Sequence, residues 1–223
     1  MTPTLSVLIP ATPDRKPDFT FLMLSLSTQV WGGLSLIQHV KVSETMTKRV
    51  YLSEDGVVEV VLLIDDKQMT IGQKRQMLYE SASGKYSFQI DSDDLIADNA
   101  IELILKAIDE NPDVDVISFC EKCLINGVEY KSRFSNEYAD WEGEGNELLS
   151  DGFHFHRTIF YKCVIKTELA KQVPFKPIRF GEDHEFAKDL KPLIQTERHI
   201  PEQLYHYIHN SKPQDFNERY GFK

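Results

Sequence analysis

Positive charge is in deficit, cysteine and tryptophan are scarce, and no long apolar run occurs in this chain of 223 residues. Against 35 Asp+Glu there are only 25 Lys+Arg, a formal net charge of −10, which excludes a basic polyelectrolyte that grips nucleic acid nonspecifically. The 3 cysteines are an odd number, which argues against a secreted disulfide framework and fits a reducing cytoplasm. Cys120 and Cys123 make a lone C-x-x-C. A zinc site needs a second ligand pair, and a thioredoxin-type site needs a helix N-terminus directly after a strand. Ile117-Ser118-Phe119-Cys120 reads instead as strand, so buried thiols beside a hairpin are expected. No window reaches the ~18 consecutive apolar residues of a membrane helix, because Glu59 interrupts the longest stretch, Val57 to Ile64. The run Leu5 to Ile9 has no basic segment before it and is too short for a signal-peptide core, so a cytoplasmic location is expected.

What is present is the composition of an ordinary globular protein, 41% hydrophobic and 27% charged, with enough length for a core that needs no metal or disulfide staples. Leu5 to Ile9, ended by Pro10, reads as a buried central strand. Phe19 to Gln29 carries apolar residues near a helical period, with Pro17 and Asp18 at its start. Glu59 to Ile64 is a second buried strand that stops at Asp65-Asp66. A helix capped by Thr70 follows to about Ala82, then a strand Tyr86 to Ile90 that ends in Asp91-Ser92-Asp93-Asp94. Asp98 is placed to cap a helix Asn99 to Glu110, and Val114 to Phe119 is a fourth strand. The β-α-β-α-β-α-β order calls for a mostly parallel, Rossmann-like α/β sheet flanked by helices. The second half is mixed. Asn126-Gly127 reads as the turn joining Cys120–Ile125 to Val128–Phe134, Ser135 to Asp151 as a long acidic loop, Thr167–Gln172 and Glu182–Leu190 as helices, and the region of Ile200 as a short strand. One domain over 1–223 accounts for all of it.

In open α/β sheets ligands bind outside the carboxyl ends of strands, and strand ends in this chain carry acid pairs. Clustered carboxylates call for positive charge, commonly a divalent cation. Asp91-x-Asp93 puts two side chains on one side of an extended segment, a spacing that suits Mn²⁺ or Mg²⁺ with a bound diphosphate. The alternative is a helix cap and solvated turn. Lys67, Lys74 and Arg75 are cations available to a diphosphate, or ordinary solvated helix charges.

Taken in order, Ser6-Val7-Leu8-Ile9-Pro10, Leu63-Ile64-Asp65-Asp66, Gly72-x-Lys74-Arg75, Gly84 to Asp94 and Gly181-Glu182-Asp183 resemble the family-2 glycosyltransferases with a GT-A fold, over about residues 5–190. The Ile71-Gly72-x-Lys74-Arg75 variant in a short chain also resembles small glycosyltransferases encoded by bacteriophages. The resemblance implies a nucleotide-sugar-binding half (1–119), an acceptor and catalytic half (120–204) and a C-terminal tail (205–223). It implies that Asp65 or Asp66 binds the nucleobase, usually uracil, beside Pro10, Ala11 and Thr12. Lys74 and Arg75 would reach the diphosphate, Asp91 and Ser92 the ribose or cation, and Asp93 the cation. Asp183 matches the base of inverting members, and Glu182 an acceptor-orienting group. In the late Tyr205-His206-Tyr207-Ile208-His209 stretch, His209 is the candidate third metal ligand, with His206 behind it; packing on a strand is the alternative. Lys67-Gln68 departs from the Gly-Ser that many members have after Asp65-Asp66. His154 and His156 would share a strand face, lining an acceptor site or simply packing, and Trp141 would stack on a sugar or anchor its loop.

Three other functions compete. Ile90-Asp91-Ser92-Asp93 superficially matches the nucleophile motif of haloacid-dehalogenase-type phosphohydrolases, but it ends a later strand and continues Asp94-Leu95. A nucleotidyltransferase would need a glycine-rich loop, and Pro10 to Lys16 contains no glycine. A nucleotide-sugar binding module without catalysis is opposed by Asp183. The expected partner is a nucleotide-sugar donor, UDP-linked by resemblance; the acceptor is a glycan or, with a phage-type enzyme, a hydroxylated DNA base.

Overall fold

A computed structural model describes residues 2–145, 147–211 and 216–220. In chain order the elements are β1 (Leu5–Ala11), a 3-10 turn (Pro13–Arg15), α1 (Lys16–Thr28), β2 (Leu34–Lys41), β3 (Met46–Ser53), β4 (Val58–Asp65), α2 (Ile71–Ser81), β5 (Tyr86–Gln89) and β6 (Leu95–Ile96). There follow α3 (Ala100–Glu110), β7 (Val116–Ile125), β8 (Val128–Phe134), β9 (Trp141–Glu142), β10 (Phe155–Arg157), β11 (Val164–Lys166), α4 (Thr167–Ala170), α5 (Glu182–Leu190), β12 (Glu197–His209) and α6 (Phe216–Tyr220).

One sheet holds them, in the order β2-β3-β4-β1-β5-β11-β7-β8-β10-β9, with β12 paired to β6 and β7. Its centre, β4-β1-β5, is parallel, and every residue of β1 is buried, as expected of a strand covered on both faces. The expectation of a mostly parallel sheet needs correcting outside that centre. β3 joins β4, and β11 joins β5 and β7, in antiparallel fashion, so the sheet as a whole is mixed. The hairpin β2–β3 intervenes between α1 and β4; β2 is an exposed edge strand with a register shift between Leu36 and Gln38, and that bulge breaks the period-2 signal by which a strand is read.

Local expectations mostly hold. Thr70 caps α2 through a reciprocal pair: its hydroxyl accepts from the Gln73 amide at 3.2 Å, and the Gln73 side chain accepts from the Thr70 amide at 2.9 Å. Asn126 and Gly127 adopt φ of 51° and 82°, the left-handed pair that a two-residue hairpin turn requires. Val114–Phe119 and Cys120–Ile125 are expected as separate strands, but Val116–Ile125 is one strand. Asp98 does not cap α3, whose N-cap is Asn99 without a side-chain bond. β12 runs 13 residues, far past the short strand expected at Ile200, because β7 pairs with it in parallel along its whole length.

Glu59, the charge that interrupts the longest apolar run, is buried but fully engaged. It accepts hydrogen bonds from the Ser6 hydroxyl and from the amide and hydroxyl of Ser83, tying the amino ends of β1 and β4 to the α2–β5 turn. At the opposite edge the three parallel strands release Pro10-Ala11, Asp65 and the Asp91–Asp94 loop together.

Candidate functional site

The four residues after β5 have divided roles. Asp94 points inward: it accepts from the Tyr205 hydroxyl at 2.7 Å and the Ile208 amide at 2.9 Å, with the Lys162 ammonium at 3.5 Å. Burial pushes its carboxyl up, opposed by Lys162. The Tyr205 hydroxyl also accepts the Asp91 amide at 3.0 Å, so β12 clamps the loop at both ends. Asp91 and Asp93 face the other way, toward a crevice of about 250 Å³ lined by Thr12, Arg15, Lys74, Arg75 and Ser92 besides themselves. Pro10 and Ala11 close its wall. A larger cavity of about 550 Å³ lies at the amino ends of the strands, beside Thr2, Gly84 and Lys171, away from these carboxylates.

Arg75 joins the halves of the site. It is 3% exposed, and its guanidinium meets Asp91 at 2.9 Å, Glu182 at 3.3 Å and the Gln89 side-chain oxygen at 3.3 Å, while lying 3.4 Å over the Tyr161 ring. Tyr161 donates to the other Asp91 oxygen at 2.7 Å. Despite burial, which lowers Arg75, Asp91 and its other partners hold it firmly protonated; Asp91, which burial would raise, is held below its ordinary range by the Arg75 charge. Arg75 is thus a buried tie between β5, α2 and α5. Gly72 makes that tie possible, since a Cβ there would sit 1.9 Å from the Lys176 carbonyl oxygen and 3.4 Å from the Glu182 Cβ.

Glu182 and Asp183 open α5 and are driven apart in acidity. Glu182, buried, is raised by desolvation against the pull of Arg75. Asp183 is 28% exposed and accepts from Arg157 at 2.7 Å; burial raises it, but the Arg157 charge and hydrogen bond outweigh that and leave it below the ordinary carboxylate range. Arg157 is itself fixed over the Phe160 ring at 3.7 Å. An ionised, oriented carboxylate beside a raised one is the pattern that separates base from acid. Along the same helix, a cavity of about 330 Å³ opens between Asp140, Thr158, His184, Lys188 and Lys191, with Asp183 outside its lining.

The remaining expected residues are more dispersed. Asp65 is buried, with one oxygen accepting from the Met69 amide at 3.1 Å and lying 3.8 Å from Lys74, and the other without a partner among the described residues. Burial pushes the Lys74 ammonium down, opposed by Asp65. Asp66 is exposed. Lys67 is paired with Asp14 at 2.7 Å, holding that carboxyl down at about 2, and so is not the free cation expected for a diphosphate. His209 is exposed at the end of β12, its ring against Tyr207, and His206 is half-buried opposite Leu95. His154 accepts from the Lys131 amide, and His156 lies between Asp151 and Glu142 and stacks on Tyr138. Trp141 packs on Phe155 beside Arg157. The cysteines are free and buried, Cys120 pushed up to about 11 by burial.

Three solved structures of Staphylococcus aureus TarS resemble the chain in fold. The 1–349 fragment superposes with a TM-score of 0.57 at 17% identity, covering 92% of this chain and 60% of that one. The same fragment with UDP-GlcNAc gives 0.55 at 15% identity over 95% and 60%, and with UDP 0.54 at 17% over 96% and 62%. The chain has the TarS fold. This chain spans about three-fifths of the 1–349 fragment of TarS. No protein-family model and no curated protein sequence matches the chain.

A divalent cation held by Asp91 and Asp93 was expected from their spacing and from the resemblance. As arranged, the residues do not fit one. Both Asp91 oxygens are engaged by Arg75 and Tyr161, and one Asp93 oxygen faces Arg219 at 3.0 Å and Arg15 at 3.4 Å. Among the described residues, no three His, Cys, Asp or Glu side chains converge as a metal site. Arg15, Tyr161 and Arg219 were not read from the sequence. Each is distant along the chain from the motif it serves, so no spacing marks it.

Proposed function

We propose that the protein transfers a sugar from a UDP-linked donor to an acceptor hydroxyl with inversion at the anomeric carbon. The observation that carries this reading is Arg75, which fastens the Asp91–Asp93 loop, where a nucleotide diphosphate is expected, to the helix that presents Asp183. The TarS complexes with UDP and UDP-GlcNAc support the choice of donor, and the crevice at the carboxyl ends of β1 and β5 is where the fold class holds such ligands. Asp65, which lies 3.8 Å from Lys74 of the crevice lining and keeps one buried oxygen without a partner among the described residues, is the candidate acceptor for a nucleobase N–H.

The chemistry follows from the acidities. The acceptor hydroxyl oxygen forms a bond to the anomeric carbon while the bond to the diphosphate oxygen breaks, the electron pair leaving with the diphosphate. The hydroxyl proton passes to Asp183, which Arg157 keeps ionised and aimed. The acceptor is a hydroxylated glycan or, following the resemblance to phage enzymes, a hydroxylated base in DNA. The test is release of UDP from UDP-sugars, followed in wild type and in Asp183→Asn, with UDP affinity measured on both. Loss of release with affinity retained is expected; full release from the variant removes Asp183 as base.

A further inference from the structure

We propose that a nucleoside diphosphate is held in this crevice by the guanidinium groups of Arg15 and Arg219, without a divalent cation bridging Asp91 and Asp93. The inference rests on the donor reading above and concerns how that donor's charge is met. Arg219 comes from α6, at the far end of the chain, yet its side chain is only 9% exposed. It is seated by contacts on either side. Its Nε lies 3.7 Å from Asp18, and the neighbouring Tyr220 hydroxyl donates to Asp18 at 3.1 Å and to the Asp93 carbonyl oxygen at 3.2 Å, its ring against Phe21. Arg15, more exposed at 36% of its side chain, lines the crevice from the turn after β1.

A cation entering between Asp91 and Asp93 would meet two guanidiniums at Asp93 and a third at Asp91. Guanidinium cannot lose its proton to make room. The opposite charge fits the same place. A diphosphate brings several oxygen acceptors to planar donor forks whose geometry matches phosphate. Asp93, which lines the crevice with Arg15, then acts as a positioning residue: one of its oxygens holds both guanidiniums before the ligand arrives.

The test is calorimetric titration of the full chain with UDP and, separately, with uridine, each in EDTA and in Mn²⁺. For wild type, UDP binding in EDTA is expected, changed by less than about threefold on adding Mn²⁺. Arg219→Ala is expected to weaken UDP by about tenfold or more while leaving uridine nearly unchanged, with Arg219→Lys recovering part of the loss. Arg15→Gln, on an exposed turn where folding is not at stake, should shift in the same direction. UDP binding that appears only with Mn²⁺ overturns the inference. So does an Arg219→Ala protein that binds UDP as tightly as wild type or more tightly, since Arg219 would then merely cover the site. Absence of binding by both UDP and uridine, with and without Mn²⁺, removes the donor reading itself and this inference with it.

Discussion

Asp183 and Glu182 are adjacent in sequence but different in chemistry, and the difference is imposed by two arginines. Arg157 lowers Asp183, whereas desolvation raises Glu182 in spite of Arg75. If Asp183 is the base, activity is present above its acidity constant and lost as pH falls through it. Arg157→Gln removes the charge that lowers it, so the acid limb of kcat should move to higher pH, checked by a pH–rate profile of UDP release; an unmoved limb would assign that limb to another group. The linkage to stability has the same sense: the Asp183–Arg157 pair contributes above the ordinary carboxylate range and is lost as pH falls through the lowered value. Asp183→Asn should reduce transfer by roughly 10²–10⁴, the usual worth of a general base, with UDP affinity intact. Both carboxylates were legible in the sequence, since Gly181-Glu182-Asp183 stands out as a motif. Their opposite acidities were not, because Arg157 lies 26 residues from Asp183 along the chain.

At the scale of elements, α2, α5 and β12 bring the site together. Gly72→Ala would drive a methyl group into the Lys176 carbonyl, displacing the segment that delivers Glu182 to Arg75. Overpacking of this kind costs about 1–3 kcal/mol, and the variant should lose UDP release more than thermal stability alone explains. Tyr205→Phe leaves the Asp91 amide and one Asp94 oxygen without their shared partner; a loss of about 1–3 kcal/mol is expected, read as a denaturant midpoint shift accompanied by weaker UDP binding. An unshifted midpoint would mean that the loop is held elsewhere. α2 was legible because Thr70 and Gln73 form a local capping pair. β12 was not, because its length is set by pairing with β7, far away in sequence, and its Tyr205–His209 end resembles a functional histidine stretch rather than a strand. The β2–β3 hairpin escaped for a related reason: β2 is an exposed edge whose bulge hides alternation.

At the scale of the molecule, the buried apolar runs of β1 and β4 and the acids after β4 and β5 made the parallel centre and the site edge readable, since one strand's own residues carry that signal. Of the antiparallel additions, the β7–β8 hairpin is marked by Asn126-Gly127, whereas β11 is fixed by pairing with β5 and β7, far away in sequence, and carries no such mark. The central claim is that a UDP-linked donor occupies the crevice at the carboxyl ends of β1 and β5. A crystal structure of the protein grown with UDP tests it most directly. The account predicts the uracil near Asp65 and the diphosphate between Thr12, Arg15 and Asp93; UDP found in the cavity beside Thr2 and Lys171, or anywhere else outside the crevice, would contradict it.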